Sequence, residues 1–212
     1  MFQPNRCWTD EHVDVILYYL RKKSKQQSHS KYRHTTTNCF FKTYIDNATV
    51  VPENEYKIVG IIKGFGIPAG LPWHLIDVVY VPVNCNGEFH WLLAIVVLKE
   101  WCINVYDSMS SSRTNKNLCS EIQKLSTMLP KYLESSKKFL NLTKERTNLT
   151  HSKDYGLFVA AYAEFLSVGL QVPSYGIISQ TLRMRYASLL WNYGILKARS
   201  GYVSNNEYPQ RP

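Results

Sequence analysis

The clearest pattern along the chain is a series of β-branched and aliphatic runs near its centre. Asp77–Val83 and Trp91–Leu98 are two such runs, and the segment between them contains an Asn86-Gly87 pair, which is typical of a tight hairpin turn. Trp101–Tyr106 follows after a second short polar turn. We therefore predict three consecutive antiparallel strands, each of them largely buried.

The residues before these strands show one helical pattern. Apolar residues recur at helical spacing over Val13–Leu20, and Asp10 precedes them as the predicted N-cap. The polar stretch Gln26–Thr37 is predicted to be a loop, and Cys39–Ile67 shows no firm element. Glycines and prolines crowd Gly64–Pro72, which predicts turns there.

The residues after the strands are mainly helical in pattern. Leu118–Leu133 has helical spacing until Pro130 intervenes, and Thr181–Lys197 forms the last predicted helix. Gly156–Leu166 is apolar on nearly all sides, so we predict a helix surrounded by protein, closed by glycine at its end. Lys138–Lys153 has little strand character.

The order of these elements, a helix, a strand meander and then helices, is typical of a single α+β domain. The sequence shows no internal repeat and no change of composition that would indicate a linker. We therefore predict one domain over residues 1–200 and a C-terminal tail over residues 201–212.

Composition excludes several classes of protein. Apolar residues make up 45% of the 212 residues and charged residues 19%, which argues against a disordered chain. The longest apolar run, Trp91–Leu98, is far shorter than the roughly 20 residues that cross a bilayer, and the N-terminus has no secretory pattern. The five cysteines are widely spaced without a CxxC pair, so we expect reduced thiols in the nucleus or cytoplasm, without a metal site or cofactor.

The charge balance favours acidic partners. Lysine and arginine number 25 against 16 acidic residues, so the formal net charge is +9. Part of the excess lies in the basic cluster Arg21–Lys25. That cluster suits nucleic acid or an acidic protein surface, but a solvated helix C-terminus would have the same composition.

Two titratable residues flank neighbouring predicted strands. His90 precedes one strand and Asp107 follows the next, so the hairpin would bring them to the same end of the sheet. A carboxylate in that position can hold an imidazole in one tautomer and stabilise its charged form. The alternative is that each residue is an ordinary turn or cap residue.

A third candidate lies immediately before the buried helix. Asp154-Tyr155-Gly156 places one side chain at the helix N-terminus, where the helix dipole would lower the pKa of a thiol and favour thiolate. The position suits a nucleophilic cysteine served by a histidine. In this chain it holds Tyr155.

These motifs in this order resemble the ubiquitin-like-protein-specific proteases, which are SUMO-deconjugating cysteine peptidases. The runs His12–Leu20, Phe158–Leu166 and Arg185–Gly194 are similar to the plant, transposon-associated branch of that family, and the likeness covers about residues 8–208. The resemblance implies a papain-like α+β fold with a central antiparallel meander flanked by helices. It also implies a monomer without a cofactor, acting on a ubiquitin-like modifier or its conjugates.

The resemblance assigns roles to individual residues. His90 matches the general base and Asp107 the acid that orients it. Trp91 and Trp8 match the walls of a narrow tunnel around the modifier's Gly-Gly tail.

Two positions depart from the family pattern. Tyr155 stands where the family has its cysteine nucleophile, and Leu149 where it has the oxyanion glutamine. A phenol with a pKa of about 10 is mostly protonated at neutral pH. Cys85 and Cys102 lie near the predicted meander, but neither precedes a helix as a substitute nucleophile would.

Three hypotheses remain open at this stage. The chain is a catalytically impaired member of the peptidase family, a pseudoenzyme that binds a ubiquitin-like modifier, or a basic nucleic-acid-associated relic of a transposon. On chemical grounds the sequence favours the pseudoenzyme hypothesis, because the nucleophile is missing while the residues that flank its position are kept.

Overall fold

The protein contains a five-stranded sheet with helices on both faces. The computed structural model describes residues 8–26, 33–85, 91–107, 115–133, 139, 141–146, 155–173 and 179–200. The strands are β1 (His34–Thr36), β2 (Val78–Asn84), β3 (Trp91–Val97), β4 (Cys102–Asp107) and β5 (Asn141–Arg146). The helices are α1 (Asp10–Gln26), α2 (Phe41–Asp46), α3 (Pro52–Ile62), α4 (Asn115–Tyr132), α5 (Tyr155–Ser167) and α6 (Ser179–Arg199), with a 3-10 turn at Trp73–Leu75.

The strands follow one another across the sheet in chain order, β1 to β5. The three central strands pair antiparallel, with Asn84 opposite Trp91 and Leu92 opposite Asp107, which confirms the predicted meander with ends shifted by about one residue. Both edge strands pair parallel to their neighbours. The α+β fold predicted from the sequence is therefore correct.

The two edge strands are absent from the sequence prediction. β1 falls in a stretch predicted to be loop. Its three residues are all polar yet all buried, and three positions are too few to show a period. β5 falls in Lys138–Lys153 and has only one apolar residue, Leu142. Backbone hydrogen bonding to β2 and β4 makes these segments strands, and that pairing leaves no hydrophobic pattern in the sequence.

Alternation along the central strands divides the core into two clusters. Leu92, Ala94 and Val96 of β3 face a cluster that includes residues of α2, α3 and α4. Trp91, Leu93 and Ile95 face the other cluster, with residues of α1, α5 and α6. The sheet therefore lies between two helical layers, and α5 belongs to only one of them.

The buried helix is confirmed. Every residue from 156 to 163 is buried, including Phe158 at 2% exposure and Tyr162 at 1%. The helix closes with Gly169 at φ 74°, where the Gly169 N–H donates to the Leu166 carbonyl and the Leu170 N–H to the Phe165 carbonyl. This is a Schellman C-cap, as the glycine predicts.

Two details of the helix predictions are wrong, and two helices are not indicated by the sequence pattern. Thr9, rather than Asp10, occupies the N-cap of α1, since its carbonyl accepts the His12 and Val13 N–H groups at 3.1 and 3.2 Å. Pro130 does not end α4, which continues to Tyr132, because a proline in the last turn removes only one helical donor. α2 and α3 lie in the stretch to which no element was assigned; α2 has only six residues.

The remaining predictions concern membrane-spanning segments and the division of the chain into a domain and a tail. No helix of the described ranges is long and apolar enough to cross a bilayer. Residues 201–212 lie outside the described residues. The division into a domain and a tail therefore stays a prediction.

Candidate active site

One end of the sheet carries two of the predicted site residues. Trp91 begins β3 and pairs with Asn84, whereas Asp107 ends β4 and pairs with Leu92. Directly opposed residues in antiparallel strands have Cα atoms about 4.5–5.5 Å apart, so Trp91 and Asp107 lie at the same end of the meander. Both are enclosed, since Trp91 is 4% exposed and Asp107 is fully buried.

The strand alternation gives these two side chains different faces. Asp107 has the parity of Ile103 and Val105, which face the cluster containing α4. Trp91 belongs to the cluster of α1 and α5. His90 lies outside the described residues, so its contact with Asp107 stays a prediction.

The N-terminus of α5 lies against the start of α1. The helix begins at Tyr155, although the side chain of that residue is outside the described set. A Cβ on Gly156 would lie 3.1 Å from Val13 Cγ2 and 3.5 Å from Trp8 Cβ. The first turn of α5 therefore has room for a glycine at this position and for little more.

Trp8 is a buried aromatic residue beside this turn. It is 7% exposed, and its ring contacts Tyr186 edge to face at 5.6 Å and His12 at 5.7 Å. Within the described part of the chain its indole N–H has no hydrogen-bond acceptor. A buried tryptophan N–H usually has a partner, so the Trp8 N–H is an exception among the described residues.

The two tryptophans share one buried cluster. Trp8 and Trp91 pack with residues of α5 that include Leu157 and Phe158. The structure thus brings both predicted tunnel residues to the helical layer whose α5 starts at Tyr155.

His12 is a titratable residue that the sequence pattern indicates only as part of the run His12–Leu20. Its Nδ1 lies 2.8 Å from the Thr9 hydroxyl, and its ring contacts Trp8. Burial, more than any charged neighbour, lowers the pKa of His12 below its ordinary value. The signal that could have found it is its position on the first turn, where it reaches the N-cap residue.

Neither Cys39 nor Cys102 is a poised nucleophile. Cys102 begins β4, about 17 Å along the strand from Asp107 at 3.3 Å per residue, and burial raises its pKa. Cys39 is buried, and burial together with Asp14 raises its pKa well above the ordinary value. Cys85 packs in the cluster on the sheet face away from α5. No group of three or more metal-ligating side chains occurs among the described residues.

Comparison with known proteins gives a consistent family. The model of the Ulp1 protease family, C-terminal catalytic domain, matches residues 7–190. No curated protein matches the chain by sequence.

Several solved structures share the fold. A SUMO protease Ulp1 with its catalytic cysteine oxidised to a sulfenic acid is 17% identical, with 91% of this chain and 80% of that chain covered and a TM-score of 0.69. The C-terminal Ulp1 protease domain in complex with SMT3, the yeast ortholog of SUMO, is 17% identical, with coverages of 90% and 79% and a TM-score of 0.68. The Ulp1-like SUMO protease catalytic domain of Chaetomium thermophilum is 16% identical, with coverages of 90% and 74% and a TM-score of 0.61.

Proposed function

Because this chain belongs to the Ulp1 protease family, we propose that it binds the C-terminal tail of a SUMO-type modifier and does not cleave it through a thiol. The observation that carries the proposal is the start of α5. The helix begins at Tyr155 and lies against Trp8, so the helix terminus that would favour a thiolate begins with a phenol.

The proposed site residues keep the roles that the resemblance implies. We assign His90 as the base and Asp107 as the group that orients it, with Tyr155 in the nucleophile position. The burial of Asp107 at the end of β4 and the start of β3 at Trp91 support this, because His90 is joined to Trp91 by one peptide bond. We also assign the chain to the plant, transposon-associated branch, on the runs around Phe158 and Arg185.

The expected loss of activity is large. Removal of the nucleophile of a catalytic triad lowers kcat by about 10⁶ in subtilisin. Leu149 at the glutamine position would also remove an oxyanion donor. The loss of one such donor by itself typically lowers kcat by a factor of about 10²–10³. Neither loss prevents binding of the tail, since binding needs the tunnel walls and not the nucleophile.

Trp8 and Trp91 are the proposed walls of the tail site. Both are enclosed in the same cluster, and the Trp8 indole N–H has no acceptor within the described residues. A glycine tail offers backbone carbonyls and no side chains, so it suits a narrow aromatic passage with a free donor. That a yeast relative was solved with SMT3 supports a SUMO-type partner.

Binding to immobilised SUMO, with and without its terminal Gly-Gly, tests the proposal. We expect Trp8→Phe, which keeps an aromatic ring and removes the N–H, to weaken binding about fivefold, roughly 1 kcal/mol. Trp101→Phe is the matched control, because Trp101 lies just before β4 at the opposite end of the sheet and packs on Phe139. We expect that variant to bind as the wild type does.

Two outcomes would contradict the proposal. One is equal binding of SUMO with and without its Gly-Gly tail. The other is displacement of SUMO by a single-stranded oligonucleotide at low salt, with no effect of Trp8→Phe. That result would favour nucleic-acid association, for which the net charge of +9 is the supporting observation.

A further inference from the structure

A cleft of about 500 Å³ opens between α1, α5 and α6. This volume lies within the range of ligand-binding pockets in proteins. Glu164, which borders the cleft, is nine residues along α5 from Tyr155, or about 13 Å at 1.5 Å per residue. Tyr186 also lines the cleft and packs on Trp8 with ring centroids 5.6 Å apart, so one side of the cleft adjoins the proposed tail site.

The floor of the cleft is apolar. Ile16 and Leu20 of α1 form its base and are 2% and 6% exposed, whereas Tyr19 and Leu189 also line it and are only partly buried. A floor of this kind favours an aliphatic or aromatic group over a purely polar ligand. Ser188 borders the same opening and is exposed.

Two of the charged groups at the cleft neutralise each other. Arg185 forms an ion pair with Glu164, and the Tyr186 hydroxyl donates to the other Glu164 oxygen at 2.7 Å. Burial and the Glu164 charge both raise the pKa of Tyr186, so its hydroxyl stays protonated and remains a donor. Both carboxylate oxygens of Glu164 are therefore engaged.

Lys23 is the uncompensated charge of the lining. It makes no ion pair with any residue of the described ranges, and the same holds for Lys22 and Lys25 on the last turns of α1. All three are exposed. An apolar floor beside one free cation, with further cations nearby, is complementary to an apolar group flanked by carboxylates.

We propose that this cleft binds an acidic peptide segment of a partner protein, with an aliphatic or aromatic side chain against Tyr19 and Leu189 and an adjacent carboxylate paired with Lys23. A peptide fits better than a nucleic acid, because a polyphosphate chain would leave the apolar floor unused. The basic end of α1 then attracts the acidic flanks of the segment.

Fluorescence anisotropy with a fluorescein-labelled peptide tests the proposal. The probe has a central leucine flanked by glutamates, and its control replaces the glutamates by lysines. We expect Lys23→Glu to weaken binding of the acidic probe at least fivefold. Lys63→Glu is the matched control, since it makes the same charge change at an exposed site after α3, on the other side of the sheet.

A second variant tests the cleft without changing charge. Ser188→Trp fills the opening, and we expect it to weaken binding by a similar factor while circular dichroism shows a folded protein. The proposal is overturned if Lys23→Glu and Lys63→Glu weaken binding equally, or if Ser188→Trp binds as well as wild type. It is also overturned if an oligonucleotide competes fully for the probe, because the interaction is then one of bulk charge.

Discussion

Alanine substitution at Gly156, Gly194 and Gly169 makes the same chemical change in three different environments. The expected change in the free energy of unfolding therefore differs in sign among the three positions. Gly156 is in the first turn of α5 against Val13 and Trp8, whereas a Cβ on Gly194 of α6 would meet nothing within 4 Å. Gly169 has φ +74° after the end of α5, a conformation that side-chain-bearing residues rarely adopt.

The magnitudes follow from these surroundings. Gly194→Ala should stabilise the protein by about 0.5–1 kcal/mol, because alanine loses less backbone entropy in a helix. At Gly156 the same gain is opposed by a Cβ 3.1 Å from Val13 Cγ2, shorter than the 3.5–4.0 Å optimum. Overpacking of this kind costs about 1–3 kcal/mol, so we expect a net loss of about 1 kcal/mol. Gly169→Ala should cost about 1 kcal/mol through the left-handed backbone.

Urea unfolding followed by circular dichroism measures the free energy of unfolding of each variant. A double-mutant cycle identifies the cause at Gly156. Val13→Ala removes the crowded methyl group, so the double variant should be more stable than the sum of the two single effects by at least about 0.5 kcal/mol. If Gly156→Ala stabilises as much as Gly194→Ala, or if the cycle shows no coupling, the close packing of α5 on α1 is wrong.

Two further predictions concern buried charges. Burial is the main cause that raises the pKa of Asp14 above its ordinary 3.8, so the folded state holds that proton more tightly than the unfolded state does. The stability that this proton provides at low pH is lost as the pH rises through the folded-state pKa. Above about pH 4, the free energy of unfolding of Asp14→Asn should therefore increase relative to that of the wild type. A constant difference across that range would refute the assignment. Lys42 is 3% exposed and is paired with Asp46 and Glu121. Lys42→Met should lower the free energy of unfolding by about 3 kcal/mol, because it leaves two uncompensated carboxylates. Adding Glu121→Gln should recover part of the loss in the same urea measurement, and no recovery would contradict the pairing.

The central part of the fold could be predicted because its signals are local. Three apolar runs with short turns between them give the antiparallel meander, and the apolar residues around Phe158 give the buried α5. Hydrophobic pattern is sufficient where an element is buried on most sides.

The missed elements depend on contacts distant in sequence. β5 has the polar sequence Asn-Leu-Thr-Lys-Glu-Arg and is a strand because Asn141 to Arg146 pair with β4. Lys42 is buried because Glu121, far along the chain, supplies a counter-charge. Neither partner can be identified from the local pattern alone.

The candidate site also contains residues that the local pattern predicts and residues that only the fold brings together. Asp107 could be placed at a strand end, since strand ends follow from the apolar runs. The packing of Trp8 beside Gly156 joins residues 148 positions apart in the sequence, and only the fold brings them together. The family resemblance predicts Trp8, whereas its contact with His12 and the lack of an acceptor for its indole N–H among the described residues come from the structure.

Turnover of a SUMO C-terminal fluorogenic amide by the purified chain tests the central claim most directly. With an active SUMO protease as the positive control, we predict no iodoacetamide-sensitive release of fluorophore, while the same preparation binds SUMO through its Gly-Gly tail. Thiol-dependent turnover well above the uncatalysed rate, abolished by iodoacetamide, would contradict the account and direct attention to Cys85, which lies at the same end of the sheet as Trp91.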